Sequence, residues 1–339
     1  PLLASAILMV ATGLGFAALS DFWPLLVVAF VGTINPSTGD VSVFLPLEQS
    51  LLAHSVGDRD RTALFVRYAV AGYVMGAAGT LLAAVPDLAG QWANVAPASA
   101  MQAMFVLYAA LGALSGLIYR AIDEPQASPE TPPSAPLGPS RSIVYRLAAL
   151  FSIDSLGGGL VVQSILALWL FQTFGVSIAT AASLFFWTNV LSAVSLFAAA
   201  PTARRIGLVN TMVFTHLPSN LCLIAVPFTP NLTVVMALLL VRSLLSQMDV
   251  PTRNSYVMSV VTPAERAAAA SVTSVPRSLA SGIGPLISGW LVMLSGFGWP
   301  LLVAGLLKTG YDLALLAMFR HVQPPEERAE TDARKFGGT

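Results

Sequence analysis

The chain has 339 residues and no net formal charge; 55% of its residues are apolar and only 10% are charged. A water-soluble domain carries about 25% charged residues. The charged residues of this chain are too few to cover the surface of a soluble globule of its size. The composition excludes a nucleic-acid-binding protein with a basic face and a disordered chain. One cysteine and three widely spaced histidines leave no candidate disulfide or metal site, and no cofactor is predicted.

Apolar stretches long enough to cross a membrane follow one another along the chain, each with the roughly 20 apolar residues that a spanning helix needs. Ten such stretches cover about residues 2–20, 23–50, 63–85, 99–119, 144–173, 178–200, 207–228, 231–257, 268–294 and 299–319. The sequence therefore predicts an all-α integral membrane protein with ten transmembrane helices, whose immediate partner is the lipid bilayer.

Arginines occur in every second loop between these spans. The loops that contain them hold Arg59 and Arg61, Arg120 and Arg141, Arg204 and Arg205, Arg266, and Arg320 and Arg328. Because positive charge marks the cytoplasmic side, both ends of the chain are predicted to be cytoplasmic. The excess of Arg over Lys and the many Ala residues indicate a GC-rich bacterial source, and hence the bacterial inner membrane.

A polar, proline-rich stretch divides the spans into four and six. Its composition predicts a flexible cytoplasmic linker over residues 121–142. The predicted organisation is an N-terminal bundle over 1–120, this linker, a C-terminal bundle over 143–322 and a polar cytoplasmic tail over 323–339.

The two bundles carry related sequence. Residues 46–61 align without a gap to residues 251–266, with identical residues at Pro46 and Pro251, Ser50 and Ser255, Val56 and Val261, and Arg61 and Arg266. Internal repeats of this kind are typical of transporters. The alignment makes span 23–50 equivalent to span 231–257, so the first bundle has two spans fewer. Since the chain begins at Pro1 and not at Met, we expect a fragment of a twelve-helix protein.

Six plus six helices joined by a long cytoplasmic linker resemble the major facilitator superfamily. Residues 203–207, Ala-Arg-Arg-Ile-Gly, resemble the second copy of that family's loop motif, with Arg204 in place of its acidic residue. Gly72, Gly76 and Gly79 resemble the small positions of an antiporter motif whose Pro is absent here, and Asn35 stands where those branches carry Arg. The resemblance implies a bundle in which spans 23–50, 144–173 and 231–257 line a central cavity.

Polar residues within these three spans are the candidate substrate or ion pathway. A charge at the bilayer centre costs about 2.5–3.5 kcal/mol on insertion scales, so it persists only where it faces protein or water. In span 231–257 a helical stripe of Arg242, Ser246, Asp249 and Arg253 fits either a pathway or a ladder of ion pairs. In span 23–50 a site at Asn35 and Asp40 is weighed against a packing kink. In span 144–173 the three glycines at 157–159 allow either close helix packing or a hinge for opening. The candidates are Asn35, Asp40, Asp154, Gln163, Arg242, Ser246 and Asp249.

Other charged residues are predicted to form ion pairs. Arg67 is expected to meet Glu48 or Asp40, and Arg277 is expected to meet Asp249. Glu48 and Arg253 occupy equivalent repeat positions with opposite charge, which predicts a cytoplasmic gate; the alternative is local pairing of Glu48 with Arg67 and of Arg253 with Asp249.

Three further polar residues are interpreted as structural. Lys308 and Asp312 are four residues apart on one span, which predicts a self-neutralising pair. His216 lies next to Pro218 and is interpreted as a packed polar residue, not a proton relay.

The resemblance implies a secondary active transporter that moves a small solute by alternating access, with ion-coupled efflux as one form. Protons or another ion are the candidate coupling partners, and function as a monomer is expected. The alternative is a non-transporting membrane sensor with transporter architecture. No protease-like or nucleotide-binding motif is present, so an enzyme is not predicted.

Overall fold

The computed structural model describes residues 2–33, 58–86, 89–90, 96–121 and 136–320, except for the side chains of residues 58–66, 97, 263 and 267. Within these ranges the chain is helical, with turns between the helices and no strand, which confirms the all-α prediction. Two units are present, one formed by residues 1–129 with 177–183 and the other by residues 130–176 with 184–339.

Four described helices precede the linker, and eight follow it. The first four are α1 (Leu2–Ala18), α2 (Phe22–Val31), α3 (Asp58–Leu82) and α4 (Pro97–Arg120). The others are α5 (Arg141–Leu160), α6 (Gln163–Phe174), α7 (Ile178–Ile206), α8 (Leu208–Ala225), α9 (Leu232–Ser246), α10 (Asp249–Ser259), α11 (Arg266–Leu294) and α12 (Trp299–Phe319).

Six segments of the described chain are long and apolar enough to cross a membrane. They are Ala98–Arg120, Arg141–Leu160, Ile178–Ile206, Leu208–Phe228, Leu232–Ser259 and Trp299–Phe319. Two shorter apolar helices, Leu2–Ala18 and Phe22–Val31, accompany them. The predicted span 23–50 runs past Thr33, beyond the described residues, so the count of ten spans stays a prediction.

In the first unit, α1 packs closely on α4 through small residues. A Cβ on Gly13 would lie 2.7 Å from the carbonyl oxygen of Phe105, and one on Gly112 would lie 2.9 Å from Cγ of Met9. Small residues let helix backbones approach in lipid, where no hydrophobic force drives helices together.

In the second unit, α5 crosses α11 at a pair of glycines. A Cβ on Gly159 would lie 2.3 Å from the carbonyl oxygen of Ser281, and one on Gly284 would lie 2.4 Å from the carbonyl carbon of Gly159. Of the two interpretations of the glycines at 157–159, close packing is therefore observed at this crossing. The helix also stops one residue later, at Leu160, and the Ser288 hydroxyl donates to the Leu160 carbonyl at 2.7 Å.

A second interruption separates α9 from α10 at residues 247–248. Pro251 has no backbone N–H and cannot donate to the carbonyl of Gln247, which weakens a continuous helix at this position. The predicted span 231–257 is therefore two helices in line, and Asp249 is the first residue of the second one. A carboxylate there interacts favourably with the helix dipole.

Candidate functional site

The second unit contains a buried group of charged side chains, which we call the ion cluster. It is contributed by four segments of chain: α5, α8, α10 and α12. Its members are Asp154, His216, Asp249, Arg253, Lys308 and Asp312.

Asp154 on α5 is at the centre of the ion cluster. Lys308 Nζ donates to its Oδ1 at 2.6 Å, and Arg253 Nη2 lies 3.3 Å from its Oδ2. His216 Nε2 lies 3.9 Å from Oδ1. Only 4% of Asp154 is exposed, so its carboxylate is neutralised by protein groups and not by water.

Arg253 connects two of the acids. It pairs with Asp249 one turn earlier on α10 as well as with Asp154 on α5. Its guanidinium carbon also lies 5.2 Å from the centre of the Phe151 ring, a cation–π geometry. Arg253 therefore fixes α10 against α5.

His216 on α8 faces a second acid, on α12. Its Nδ1 lies 3.0 Å from Oδ1 of Asp312, and Asn220 Nδ2 donates to Oδ2 of Asp312 at 2.8 Å. The His216 ring meets the Tyr311 ring edge-on. Asp312 is fully buried, so this acid depends on His216 and Asn220 for its polar contacts in the described chain.

The ion cluster lies well inside the apolar helices. Asp154 is 13 residues after Arg141, or roughly 20 Å along α5, and Asp312 is 7 residues before Phe319, or roughly 10 Å along α12. On α12 the nearer helix end, at Phe319, is next to a predicted cytoplasmic arginine, whereas on α5 the nearer end is the break after Leu160. An ion cluster at this depth would be costly unless its charges were paired.

One of the predicted pairings is wrong. Lys308 does not neutralise Asp312 in the described chain; it reaches Asp154, because Gly157 leaves room for its stem, with a Cβ there lying only 2.9 Å from Cγ of Lys308. Asp249 pairs with Arg253, as in the alternative left open above.

Arg277 itself reaches a different helix. Its Nε donates to the hydroxyl of Ser155 on α5 at 3.3 Å. Sequence spacing identifies neighbours on one helix. The contacts of Arg277 with Ser155 and of Lys308 with Asp154 instead arise where α5 meets α11 and α12.

The predicted stripe on span 231–257 is divided by the break at 247–248. Asp249 and Arg253 enter the ion cluster, while Ser246 is buried and donates to the carbonyl of Ser243 at 3.4 Å. Arg242 is half-buried, and the Ser219 hydroxyl donates to its carbonyl at 3.2 Å. Gln163 is the half-buried first residue of α6, just after the α5 break.

The candidates of the first unit are largely outside the described residues. This holds for Asn35, Asp40 and Glu48, so neither the kinked-helix site nor the gate is tested. Arg67 is exposed on α3, and both of its predicted partners are among these residues.

A separate buried acid, Glu265, joins the linker end to the loop before α11. The Thr262 hydroxyl donates to its Oε2 at 2.7 Å, and the Ser140 hydroxyl does so at 2.8 Å. The backbone N–H of Gly138 donates to its Oε1 at 2.5 Å. These hydrogen bonds, that of Thr262 first, lower the pKa of Glu265 to about 2.

Comparison with protein families gives one match that covers more than half of the chain. The family model described as "Major Facilitator Superfamily" matches residues 147–338. An uncharacterised membrane protein of Saccharomyces cerevisiae (strain ATCC 204508 / S288c), YJR124C, is 24% identical over 347 residues, covering 92% of this chain and 78% of the yeast protein.

Solved structures with the same fold are transporters. A bacterial homologue of the human lysosomal transporter Spinster, inward-facing and unoccupied, has a TM-score of 0.60 and 15% identity, covering 93% of this chain and 81% of its own. The human organic anion transporter MFSD10 (TETRAN) has a TM-score of 0.62 and 19% identity, covering 93% of this chain and 76% of its own. At these identities the likeness shows the fold.

Proposed function

Since this chain belongs to the major facilitator superfamily, we propose that it is a secondary active transporter that moves a small solute by alternating access. It is an integral membrane protein, and the family and its solved neighbours are transporters. The form of transport that we propose is export of the solute coupled to the movement of an ion.

The ion cluster is the observation that carries this proposal. It places three acidic side chains, one arginine, one lysine and one histidine inside one bundle, where burying charges costs several kcal/mol per ion before pairing. A cluster needed only for stability could be replaced by apolar side chains of similar volume at little cost. Ionisable groups within the membrane more often mark ion or substrate pathways.

The two helix interruptions support the same proposal. Each lies close to the ion cluster in sequence: α5 ends six residues after Asp154, and α10 begins at Asp249. Discontinuous helices next to charged groups form binding sites in transporters and absorb the changes that opening requires. We therefore propose that Gln163, Arg242 and Ser246, which lie near these interruptions, border the pathway.

The first unit is proposed to supply the remaining polar groups. Asn35 and Asp40 are assigned to the pathway. Because Arg253 is held by Asp154 and Asp249, Glu48 is proposed to pair locally with Arg67, which was the alternative to the gate. Arg67 and Arg277 are proposed to support the equivalent helices of the two repeats. The arginine-bearing loops support the proposal that both ends of the chain are cytoplasmic, and we retain the bacterial inner membrane as the proposed location.

Flux measurements test this function. Purified protein is first screened against solutes by thermal shift, since a ligand that binds only the folded state raises the melting temperature. Each stabilising solute is then radiolabelled, and its uptake into and release from proteoliposomes are followed with and without a pH or sodium gradient. We expect gradient-dependent flux of at least one solute.

The matched pair of variants is Asp154→Asn and Asp21→Asn. Both turn a carboxylate into an amide, but Asp154 is buried in the ion cluster whereas Asp21 is exposed before α2. Flux should be lost in the first variant and kept in the second. Solutes that stabilise the protein but never cross the vesicle membrane would contradict transport and favour the sensor.

A further inference from the structure

His216 lies between two carboxylates that belong to different helices. Its Nδ1 faces Asp312 of α12 at 3.0 Å, and its Nε2 faces Asp154 of α5 at 3.9 Å. A neutral imidazole carries one N–H and presents a lone pair at its other nitrogen. Only the doubly protonated ring directs an N–H towards both acids.

The charged partners of the ion cluster come close to balancing its acids. Asp154, Asp249 and Asp312 contribute three negative charges, and Arg253 and Lys308 contribute two positive charges. The third positive charge comes from Arg242 of α9, which acts on Asp154, or from a proton on Nε2 of His216. Burial of every member makes this balance important, because water does not screen the remaining charge.

Each element packed on α8 contributes polar groups around the ring, so no single partner sets its protonation. The ring itself contacts Asp154 from α5 and Asp312 and Tyr311 from α12. Arg253 from α10, Lys308 from α12 and Arg242 from α9 act on Asp154, and Asp249 from α10 pairs with Arg253.

Two buried polar atoms beside the ring have no hydrogen-bond partner within the described part of the chain. They are Oδ1 of Asn220 and the hydroxyl of Tyr311, on residues that are 0% and 1% exposed. Unpaired buried polar atoms are costly in a static structure and are rare. Both residues touch the His216 ring, so the described part of the chain does not satisfy every polar group around it.

We propose that His216 is the proton-binding residue of the C-terminal unit, taking up a proton at Nε2 between Asp154 and Asp312. The proton comes from water and returns to water, and the ring carries it as a positive charge. When it is bound, α8 is attracted to α5; when it leaves, Asp154 is held by Lys308 and Arg253 alone. The role of this proton in transport rests on the proposed function, whereas its binding does not.

Nitrogen NMR of the histidine ring tests the binding directly. The chain has three histidines, so His54→Gln and His321→Gln leave His216 as the one labelled ring in protein prepared with ¹⁵N-histidine and reconstituted in lipid. We expect both ring nitrogens of His216 to carry a proton in mildly acidic buffer. A ring that stays singly protonated down to about pH 5 would overturn the proposal.

Variants identify the cause of the protonation. Asp312→Asn and Asp154→Asn each remove an acid that lies within about 4–6 Å of the ring. In each variant the ratio of doubly to singly protonated ring at fixed pH should fall by about tenfold or more. Glu265→Gln is the matched control, because it neutralises a buried acid of the same unit that lies outside the ion cluster, and the ratio should not change. An unchanged ratio in both aspartate variants would contradict the proposal.

The transport consequence is measured with the solute found by the flux assay. In His216→Gln, accumulation driven by a pH gradient should be lost, while exchange of labelled for unlabelled solute continues. Full driven accumulation in this variant would show that the proton on His216 is not used for coupling. Absence of any flux in the unmodified protein would instead contradict the proposed function and leave the NMR result standing.

Discussion

The contact between Lys308 and Asp154 provides the sharpest test of the ion cluster. In Lys308→Met the ammonium that lies 2.6 Å from Oδ1 of Asp154 is lost, while an apolar stem of similar length remains. Breaking a buried pair costs about 3–5 kcal/mol, since it strands the partner charge. Arg253 still lies 3.3 Å from the other oxygen, so we expect the low end of that range, about 3 kcal/mol.

Thermal unfolding in detergent, followed by circular dichroism, gives the readout. For a unit of about 200 residues a loss of about 3 kcal/mol lowers the melting temperature by about 6–12 °C. Arg205→Met is the matched control, because it removes an exposed cation at the end of α7 and should cost less than about 1 kcal/mol. The double variant Lys308→Met with Asp154→Asn should be more stable than the sum of the single effects predicts. Strict additivity, or a shift no larger than that of Arg205→Met, would refute the pairing.

Three further outcomes follow from single contacts. Glu265 has a folded-state pKa of about 2 against an ordinary value of 4.5, so its contribution to stability is full above about pH 4.5 and is lost as the pH falls towards 2; Glu265→Gln should remove this part of the acid dependence of the melting temperature. Gly159→Ala places a Cβ 2.3 Å from the Ser281 carbonyl oxygen and should cost about 1–3 kcal/mol, whereas Gly158→Ala, with its nearest neighbour at 3.9 Å, should cost less in the same melts. Trp169→Phe removes the 3.1 Å hydrogen bond from Nε1 to the Gly296 carbonyl and should cost about 1–3 kcal/mol; an unchanged melting temperature would show that this carbonyl finds another donor.

The class of the protein can be predicted from the sequence because lipid imposes long apolar helices, and these are visible in composition alone. The charged residues of the site can also be found, since each one is exceptional within an apolar span. Their partners cannot be found in the same way. Helical spacing suggested Lys308 with Asp312, but Gly157 on α5 admits the lysine stem and brings its charge to Asp154.

Two other features depended on tertiary packing. The break at 247–248 has a signal in Pro251, but the apolar character of the span continues through it, so hydropathy alone predicts one helix. His216 was interpreted as a packed polar residue; it is packed, yet both of its ring nitrogens face acids that lie 62 residues before it and 96 residues after it in the chain. No local pattern connects residues so far apart.

Distances between the two units test alternating access most directly. In a Cys222→Ser background, one pair of spin labels is placed at Ala121 and Ile206, and a second pair at Asp21 and Pro230; all four positions are exposed or lie at helix ends. Distance distributions are then recorded in lipid at low and high pH, with and without a transported solute. The account predicts two populations whose proportions change in opposite directions at the two pairs, one distance shortening as the other lengthens. A single unchanged distribution at both pairs under every condition would contradict it.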